Sequence, residues 1–338
     1  MSAPQLTAAL LAEPAQRAAR EIARQRLEAV AAAQLRLGGD DPQALHDVRV
    51  ALRRLRSWLK AYRPALDDTV TRKSRRAFAK LARATNAARD AEVALTWLDA
   101  QRELPAAAAR GHRDLADRMA AERMQTAHAV DELLAARLPR AVSRLERQLG
   151  SYWLRMPVDG TPTESPMYEL TSRLLRSHTK NFVRAVKQAR AAHDVGAAHR
   201  ARIAAKQLRY LLEPLDADPR AADLIARLTA LQDRLGEFHD AQLLAERILH
   251  EVEDLASANA RRRAMAAVEP DLVPRGRAGL GIPRGRRAGL LEVARRAHRD
   301  ANRAFAAYRK AWPRRALDAA VRDAVAIAED LVATGQAG

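Results

Sequence analysis

Between His46 and Lys60 the chain alternates apolar and basic positions with the period of an α-helix. On a helix that turns about 100° per residue, one set of side chains falls within an arc of roughly 80°. The members of this basic stripe are His46, Arg49, Arg53, Arg56 and Lys60. An apolar stripe, centred about 120° away, consists of Val48, Leu52, Leu55, Leu59 and Tyr62. The pattern predicts a helix that buries one stripe and turns the other toward a cavity or groove.

The same pattern returns 153 positions later, between His199 and Glu213. The basic stripe is repeated by His199, Arg202, Lys206 and Arg209, and Leu208 and Leu212 lie on the apolar side. Such self-similarity indicates an internal duplication. Two matched cationic stripes predict one anion-binding surface to which both halves of the chain contribute.

Helical periodicity, interrupted at Gly and Pro, extends over most of the remaining chain. The predicted helices span residues 15–37, 42–62, 67–102, 106–150, 166–192, 197–215, 221–255, 290–312 and 314–334. We expect Pro139 to break or kink the fourth of them. The predicted domains are a first bundle (1–154), a linker (155–166), a second bundle (167–312) and a C-terminal helix and tail (313–338). Pro and Gly in residues 268–289 predict a flexible basic loop within the second bundle.

Composition supports an all-α protein and indicates the charge of its partner. Hydrophobic residues make up 48% of the chain and aromatic residues only 4%, which is typical of helical bundles. The chain contains no Cys, so disulfides and thiolate chemistry are excluded. Its net charge is +18, and seven of its 59 basic residues are Lys, so Arg, which suits bidentate phosphate contacts, dominates. These values predict a polyanionic partner: nucleic acid, polyphosphate or an acidic membrane surface.

Targeting signals and membrane spans are not evident in the sequence. No apolar stretch approaches the roughly 18 residues that a membrane-spanning helix needs. The first residues lack the basic region and the long apolar run of a signal peptide. We therefore expect a soluble, cytoplasmic protein that does not insert in membranes.

A third basic stripe is predicted on the helix over residues 67–102. Lys73, Arg76, Lys80 and Arg83 repeat the spacing of the first stripe. This stripe has two possible explanations. It is either a second row of cations that contacts the same linear polyanion, which we call the second rail, or an ordinary solvated helix face. In the second half, 150 positions on, the counterparts are Asp223, Ala226, Ala230 and Asp233. We therefore expect a lopsided anion-binding site, in which the first half of the chain contributes more of the binding than the second.

The two motif segments carry a family resemblance. H-x-x-R-[VI]-A-x-[RK]-x-L-R, present twice in an Arg-rich helical chain, resembles the CHAD family, the conserved-histidine α-helical domain, over about residues 15–312. The resemblance implies two four-helix bundles related by a pseudo-twofold axis, with a central basic surface that binds inorganic polyphosphate, and residence on polyphosphate granules. It also identifies a repeated basic–Asp pair, Arg89–Asp90 and His239–Asp240. Each Asp could position an arginine of a motif helix or form an ordinary surface salt bridge.

The sequence thus assigns a set of polyphosphate-binding residues. They are His46, Arg49, Arg53, Arg56, Lys60, Lys73, Arg76, Lys80, Arg83, His199, Arg202, Lys206 and Arg209. A weaker or supporting role is assigned to Arg20, Arg89, Asp90, Arg173, Tyr210, Arg227, Arg234, His239 and Asp240. Two interpretations of His46 and His199 stay open: contact with phosphate, and a role in capping or packing the start of the helix.

Catalysis is not expected from the motifs in the chain. There is no P-loop, no nucleophile elbow, no kinase motif and no group of carboxylates beside the basic stripe to hold Mg²⁺. The sequence therefore predicts a binding protein with no cofactor and no metal. Two alternatives stay open: a nucleic-acid-binding helical protein, and an accessory subunit of a phosphate-processing enzyme. Against the first, no aromatic residues interleave with the basic stripe to stack on bases.

Overall fold

The computed structural model describes residues 4–37, 41, 43–101, 104–151, 165–191, 195–268 and 284–337. Within these ranges the regular secondary structure is helical, which confirms the predicted all-α class. The α-helices are α1 (Ala8–Ala12), α2 (Ala15–Gln34), α3 (Ala44–Ala61), α4 (Arg63–Leu66), α5 (Arg72–Asp99), α6 (Ala106–Gly150), α7 (Met167–Ala191), α8 (Val195–Leu212), α9 (Pro219–Val268), α10 (Arg284–Ala311) and α11 (Arg314–Ala337). A short 3₁₀ turn, Glu213–Leu215, follows α8.

Most helices begin and end close to their predicted positions, and three differ: α5 begins at Arg72 rather than at residue 67, and α9 and α10 are longer than predicted. α6 continues through Pro139, so the helix is not broken there, and the alternative, a kink at Pro139, stays a prediction. Leu134, Leu138, Ala141 and Leu145 are buried on both sides of that proline, and this packing offsets the roughly 3 kcal/mol that proline costs inside a helix. α9 extends past the predicted end, to Val268, and α10 begins at Arg284, so both enter the segment predicted as a loop.

Parts of the predicted linker and loop lie outside the described residues, namely 152–164 and 269–283. None of the helices within the described ranges is both long and apolar enough to cross a membrane.

Two compact units are present. Unit 1 comprises Met1–Ala87, Ala127–Leu235 and Tyr308–Gly338, and unit 2 comprises Ala88–Thr126 and Gly236–Ala307. The predicted linker between the halves, residues 155–166, falls inside unit 1. The units also do not separate along whole helices, because α5, α6, α9 and α10 each contribute residues to both. The division into two bundles related by a pseudo-twofold axis stays a prediction.

Unit 1 is built from helices of both halves of the chain. α2 packs against α3 and α7, and α7 packs against α8 and α11. At the centre of the core, the rings of Trp58 and Tyr62 stack with centroids 3.8 Å apart. Trp58 donates from Nε1 to the backbone oxygen of Ala19 at 2.9 Å, and the Tyr62 hydroxyl lies 3.1 Å from the Thr171 hydroxyl. These buried bonds tie α3 to α2 and to α7.

The starts of α2 and α7 are joined by reciprocal backbone hydrogen bonds. The amide of Ala15 donates to the Ser165 carbonyl at 3.1 Å, and the amide of Met167 donates to the Glu13 carbonyl at 2.9 Å. Pro14 and Pro166 lie opposite each other between these bonds. Free amides at the first turn of both helices are thereby satisfied.

Unit 2 has its own apolar core. Its buried side chains come from α5, α6, α9 and α10. They include Leu98, Leu115, Met119, Ile248, Leu290 and Val293. Trp97 donates from Nε1 to the Asp300 carboxylate at 3.0 Å, which links α5 to α10 within this unit.

Candidate anion-binding site

The motif helices α3 and α8 pack against each other within unit 1. α3 buries the apolar stripe that its sequence predicts, including Val48, Leu52, Leu55 and Leu59. α8 buries mainly small side chains: Ala197, Ala198, Ala201, Ala204, Ala205 and Leu208. Alanine permits a close approach between helices, so the two basic stripes come within electrostatic reach of each other.

Five cations from the two helices form what we call the basic cluster. Its members are Arg53 and Arg56 of α3 and Arg202, Lys206 and Arg209 of α8. Burial, followed by the charges of the four arginines, lowers the pKa of Lys206 from its ordinary value to about 7. A charged group held in so unfavourable an environment is a marker of a functional site. The structure thus brings together the central residues of both predicted stripes.

Four members of the basic cluster have no carboxylate partner in the part of the chain that the structure describes: Arg53, Arg56, Arg202 and Lys206. The Nε atoms of Arg53 and Arg202 are buried and have no hydrogen-bond acceptor among those residues. Buried N–H groups normally have acceptors. The cluster therefore offers donors and positive charge that an anion can satisfy.

Glu213 is the buried counter-ion beside the basic cluster, and the sequence analysis missed it. Its carboxylate lies 3.6 Å from Arg209, 3.5 Å from Arg54 and 4.0 Å from Arg26. Burial lowers the pKa of Arg26, and Glu213 opposes that shift. A signal was present, because Glu213 occupies the position that Lys60 holds in the first copy of the motif. Glu213 holds Arg209 in place and neutralises the most buried arginine of the region.

The two motif histidines differ in their surroundings. His46 is exposed, and the Arg49 guanidinium lies 3.3 Å from its Nδ1 atom; because arginine can only donate, Nδ1 is the acceptor in this contact. His199 is half-buried, and burial together with Arg202 and Lys206 lowers its pKa. Contact between either histidine and phosphate stays a prediction.

Lys60 ends the first basic stripe at an exposed position of α3. Burial and the charge of Lys60 lower the pKa of His178 on α7. This histidine has no counterpart in the motif, so the repeat gave no reason to select it.

The predicted second rail lies on the part of α5 that belongs to unit 1. Lys73, Arg76, Lys80 and Arg83 are all exposed, and none has a carboxylate partner among the residues that the structure describes. Their position therefore leaves them open to a ligand. Whether they face the same anion as α3 stays a prediction.

Two of the arginines on the corresponding part of α9 are neutralised by carboxylates. Arg227 pairs with Asp223 at 2.9 Å and also with Asp323 of α11. Arg220 pairs with Asp330 of α11 and lies 3.7 Å from Asp218. Arg234 is exposed. Arg220 and Arg227 of α9 thus link this helix to α11, and the lopsided site stays a prediction.

The remaining supporting residues of unit 1 have varied surroundings. Arg20 is buried and donates to the backbone oxygen of Leu149, which ties α2 to the end of α6. The ring of Tyr210 is buried, and the Arg209 guanidinium lies 4.9 Å from its centroid. Arg173 is exposed on α7. Tyr210 therefore supports Arg209 by a cation–π contact, whereas Arg20 has a structural role.

The repeated basic–Asp pairs belong to unit 2, whereas both motif helices belong to unit 1. Asp90 and Asp240 line a cavity of about 70 Å³ together with Arg247. Arg89 pairs with Glu92 at 3.4 Å, and His239 is half-buried. A contact between these Asp residues and a motif arginine stays a prediction.

Comparisons with known proteins identify the family. The comparison with curated proteins gives no match. A crystal structure of the CHAD domain from the plant Ricinus communis is similar in fold, with a TM-score of 0.56 at 23% sequence identity, over 92% of this chain and 93% of that one. The family model described as CHAD domain matches residues 7–249, most of the chain and both motif helices. The protein therefore belongs to the CHAD-domain family.

Proposed function

We propose that the protein binds inorganic polyphosphate through the basic cluster and the stripes that flank it. The observation that carries this proposal is the convergence of five cations, four of them without a carboxylate partner among the described residues. A phosphate chain supplies negative charge at every unit and can neutralise them together. Arginine adds two-donor contacts to phosphate oxygens.

The aromatic residues near the cluster favour polyphosphate over single-stranded nucleic acid. Trp58, Tyr62 and Tyr210 are all buried in the core, with exposed fractions of 2%, 0% and 4%. Proteins that bind single strands use exposed aromatic rings on which bases stack. These three rings cannot play that part without unfolding the core.

Binding without catalysis, and residence on cytoplasmic polyphosphate granules, complete the proposal. The basic cluster is made of guanidinium and ammonium groups, which attract phosphate but supply no carboxylate to bind Mg²⁺. The family resemblance supports the granule location, and the charge of +18 supports attachment to a polyanion.

Competition between polyphosphate and nucleic acid tests the proposal. At physiological salt, with ligands matched by total phosphate, we expect polyphosphate to displace both duplex DNA and single-stranded RNA. The expected salt dependence is steep, with log K falling against log salt at a slope on the order of −5. Nucleic acid, which we expect to bind outside the basic cluster, should be released first as salt increases.

Two results would contradict the proposal. If duplex DNA or RNA displaces polyphosphate at an equal or lower phosphate concentration, the protein is a nucleic-acid-binding protein and the proposal is wrong. A salt-independent affinity would show that the basic cluster does not carry the binding.

Affinity for polyphosphate is also expected to fall as the pH rises above about 7. In the free protein, the pKa of Lys206 is about 7, so this side chain loses its charge above that pH. Bound phosphate favours the charged form and raises the pKa. Between the two pKa values, the affinity should fall by up to about tenfold per pH unit. Titration calorimetry in buffers of different ionisation enthalpy should register proton uptake on binding at pH 8.

Lys206→Arg is the matched variant for this effect, because arginine stays charged throughout the range. We expect it to bind at pH 6 as the unmodified protein does and to lose little affinity by pH 9. His199→Gln should keep the fall above pH 7, because the lowered pKa of His199 places its titration at lower pH. Equal pH profiles for Lys206→Arg and the unmodified protein would exclude Lys206 as the titrating group.

A further inference from the structure

A second basic row lies on α7. Its members are Arg173, Arg176, Lys180, Arg184 and Lys187, which fall within an arc of about 80° on the helix. His178, the α7 residue whose pKa Lys60 of α3 lowers, points about 160° away from the centre of this row. On α7, the row therefore lies opposite the side that Lys60 of α3 influences.

Most cations of this row are available to a ligand. Arg176 lies 3.6 Å from Glu329 of α11, and Arg184 donates to the side-chain oxygen of Asn181 at 2.9 Å. Arg173, Lys180 and Lys187 have no carboxylate partner in the described parts of the chain. Glu169 is the acid that lines the groove beside the row.

Beside the row, residues of α7 and α11 line an open groove with an apolar floor. Two adjoining cavities of about 640 and 460 Å³ share Arg176 and Lys180. Half-buried valines form the floor: Val183 of α7 and Val321, Val325 and Val332 of α11. Lys180, Arg184 and Lys187 stand on the α7 edge of the larger cavity. The groove thus combines an apolar floor with a cationic edge.

The shape and chemistry of the groove select its occupant. From Arg173 to Lys187 the row covers about 21 Å of helix, which equals about four turns. A phosphate chain has no apolar surface to pack against the valines, so its binding would not remove the apolar floor from water. A second copy of the chain would bring another charge of +18 to a cationic surface. A helix with an apolar stripe flanked by carboxylates satisfies both the floor and the edge.

We propose that the groove between α7 and α11 binds an acidic amphipathic helix of a partner protein. The valines receive the apolar stripe of that helix, and the α7 row pairs with its carboxylates. This inference goes beyond the proposed function and does not depend on it, because no member of the basic cluster lines the groove. The protein would then connect a bound polyanion to a second protein.

Selection from a peptide library tests this proposal. The probe is a displayed library of 18-residue peptides with a helical Ala–Glu framework and apolar residues randomised at positions i, i+3, i+4 and i+7. It is selected on the full-length protein and counter-selected on the Lys180→Glu, Arg184→Glu, Lys187→Glu variant. We expect selected peptides to bind the unmodified protein with micromolar affinity by fluorescence anisotropy, and the variant at least about 30-fold more weakly.

Two matched controls separate the groove from the basic cluster. The Arg53→Glu, Arg56→Glu, Arg202→Glu variant should lose less than about tenfold in affinity for the selected peptides, by the general loss of positive charge. Replacing the peptide glutamates by lysines, or its apolar residues by serine, should abolish binding to the unmodified protein. The peptide-side changes keep the test valid even if a protein variant is destabilised.

Four outcomes would overturn the proposal. Selection could yield no peptide whose binding depends on the α7 row. Sedimentation could show a dimer that the α7 variant dissociates, which would make a second copy the occupant. Phosphatidylglycerol vesicles could bind through the α7 row where peptides do not, which would make the groove a lipid-binding surface. Finally, the basic-cluster variant could lose its affinity for the peptides, which would show that they bind at the polyanion site.

Discussion

Reversing the charge of Arg53, Arg56 and Arg202 is expected to abolish polyphosphate binding. The three glutamates change the cluster by six units of charge and place carboxylates where the ligand's own charges would lie. Because binding to polyanions is dominated by such contacts, we expect the affinity to fall on the order of 100-fold or more. Fluorescence anisotropy with end-labelled long-chain polyphosphate at 150 mM salt, about the physiological ionic strength, measures the change.

Stability distinguishes this loss from unfolding. The three arginines lower the pKa of Lys206, so each of them opposes its positive charge in the free protein. Their replacement relieves that repulsion, and the melting temperature should be unchanged or higher. The matched control is Arg137→Glu, Arg140→Glu, Arg144→Glu on α6, which makes the same change in charge at three arginines outside the basic cluster. We expect the control to lose less than about tenfold in affinity, by the general loss of positive charge.

Equal losses in the two triple variants would show that total charge, rather than the basic cluster, governs binding. Arg209 is left out of the test set because its contact with Glu213 would mix a binding effect with a folding effect.

The fold could be predicted from the sequence because its signals are local. Each motif helix has an apolar stripe with a period of 3.6 residues, and Gly or Pro marks the ends of most helices. Local signals could not decide whether Pro139 breaks its helix. A proline has a known cost inside a helix, but whether neighbouring packing offsets that cost depends on residues distant in the sequence. Local periodicity also gave no sign that four of these helices contribute residues to both units.

The candidate site could be predicted only in part. The repeat identified every member of the basic cluster, because spacing along a helix fixes which side chains share a face. It could not show that the pKa of Lys206 is lowered by burial and by four arginines, since that depends on how α3 and α8 pack. The α7 row was missed except for Arg173, because it belongs to no repeated motif and its groove forms only when α11 packs alongside.

Glu213 shows most clearly what tertiary structure adds. In the sequence it is a single departure from the motif, at the position of Lys60. In the structure it is the carboxylate nearest to three arginines from three different segments of unit 1. The arginine with the smallest exposed area is Arg26, which is 3% exposed and lies 5.3 Å from the centroid of the Trp58 ring. The folded state therefore depends on this carboxylate more than on any single cation around it.

Glu213→Gln is expected to lower the free energy of unfolding by about 3–5 kcal/mol, because it leaves the Arg26 charge buried without a counter-ion. Urea unfolding followed by circular dichroism measures the loss. Glu146→Gln, at an exposed position of α6, is the matched control and should change the free energy by less than about 0.5 kcal/mol.

The double variant Arg26→Met, Glu213→Gln decides whether the lost stability arises from the buried charge. Removing both partners takes the unpaired charge away and fills the space with an apolar side chain of similar length, so most of the lost stability should return. Arg54 and Arg209 keep partial access to water and can be solvated after Glu213 is gone, with side chains 37% and 18% exposed. If the double variant were as unstable as Glu213→Gln alone, the carboxylate would instead stabilise unit 1 through Arg54 and Arg209, and positioning Arg209 would be its main role.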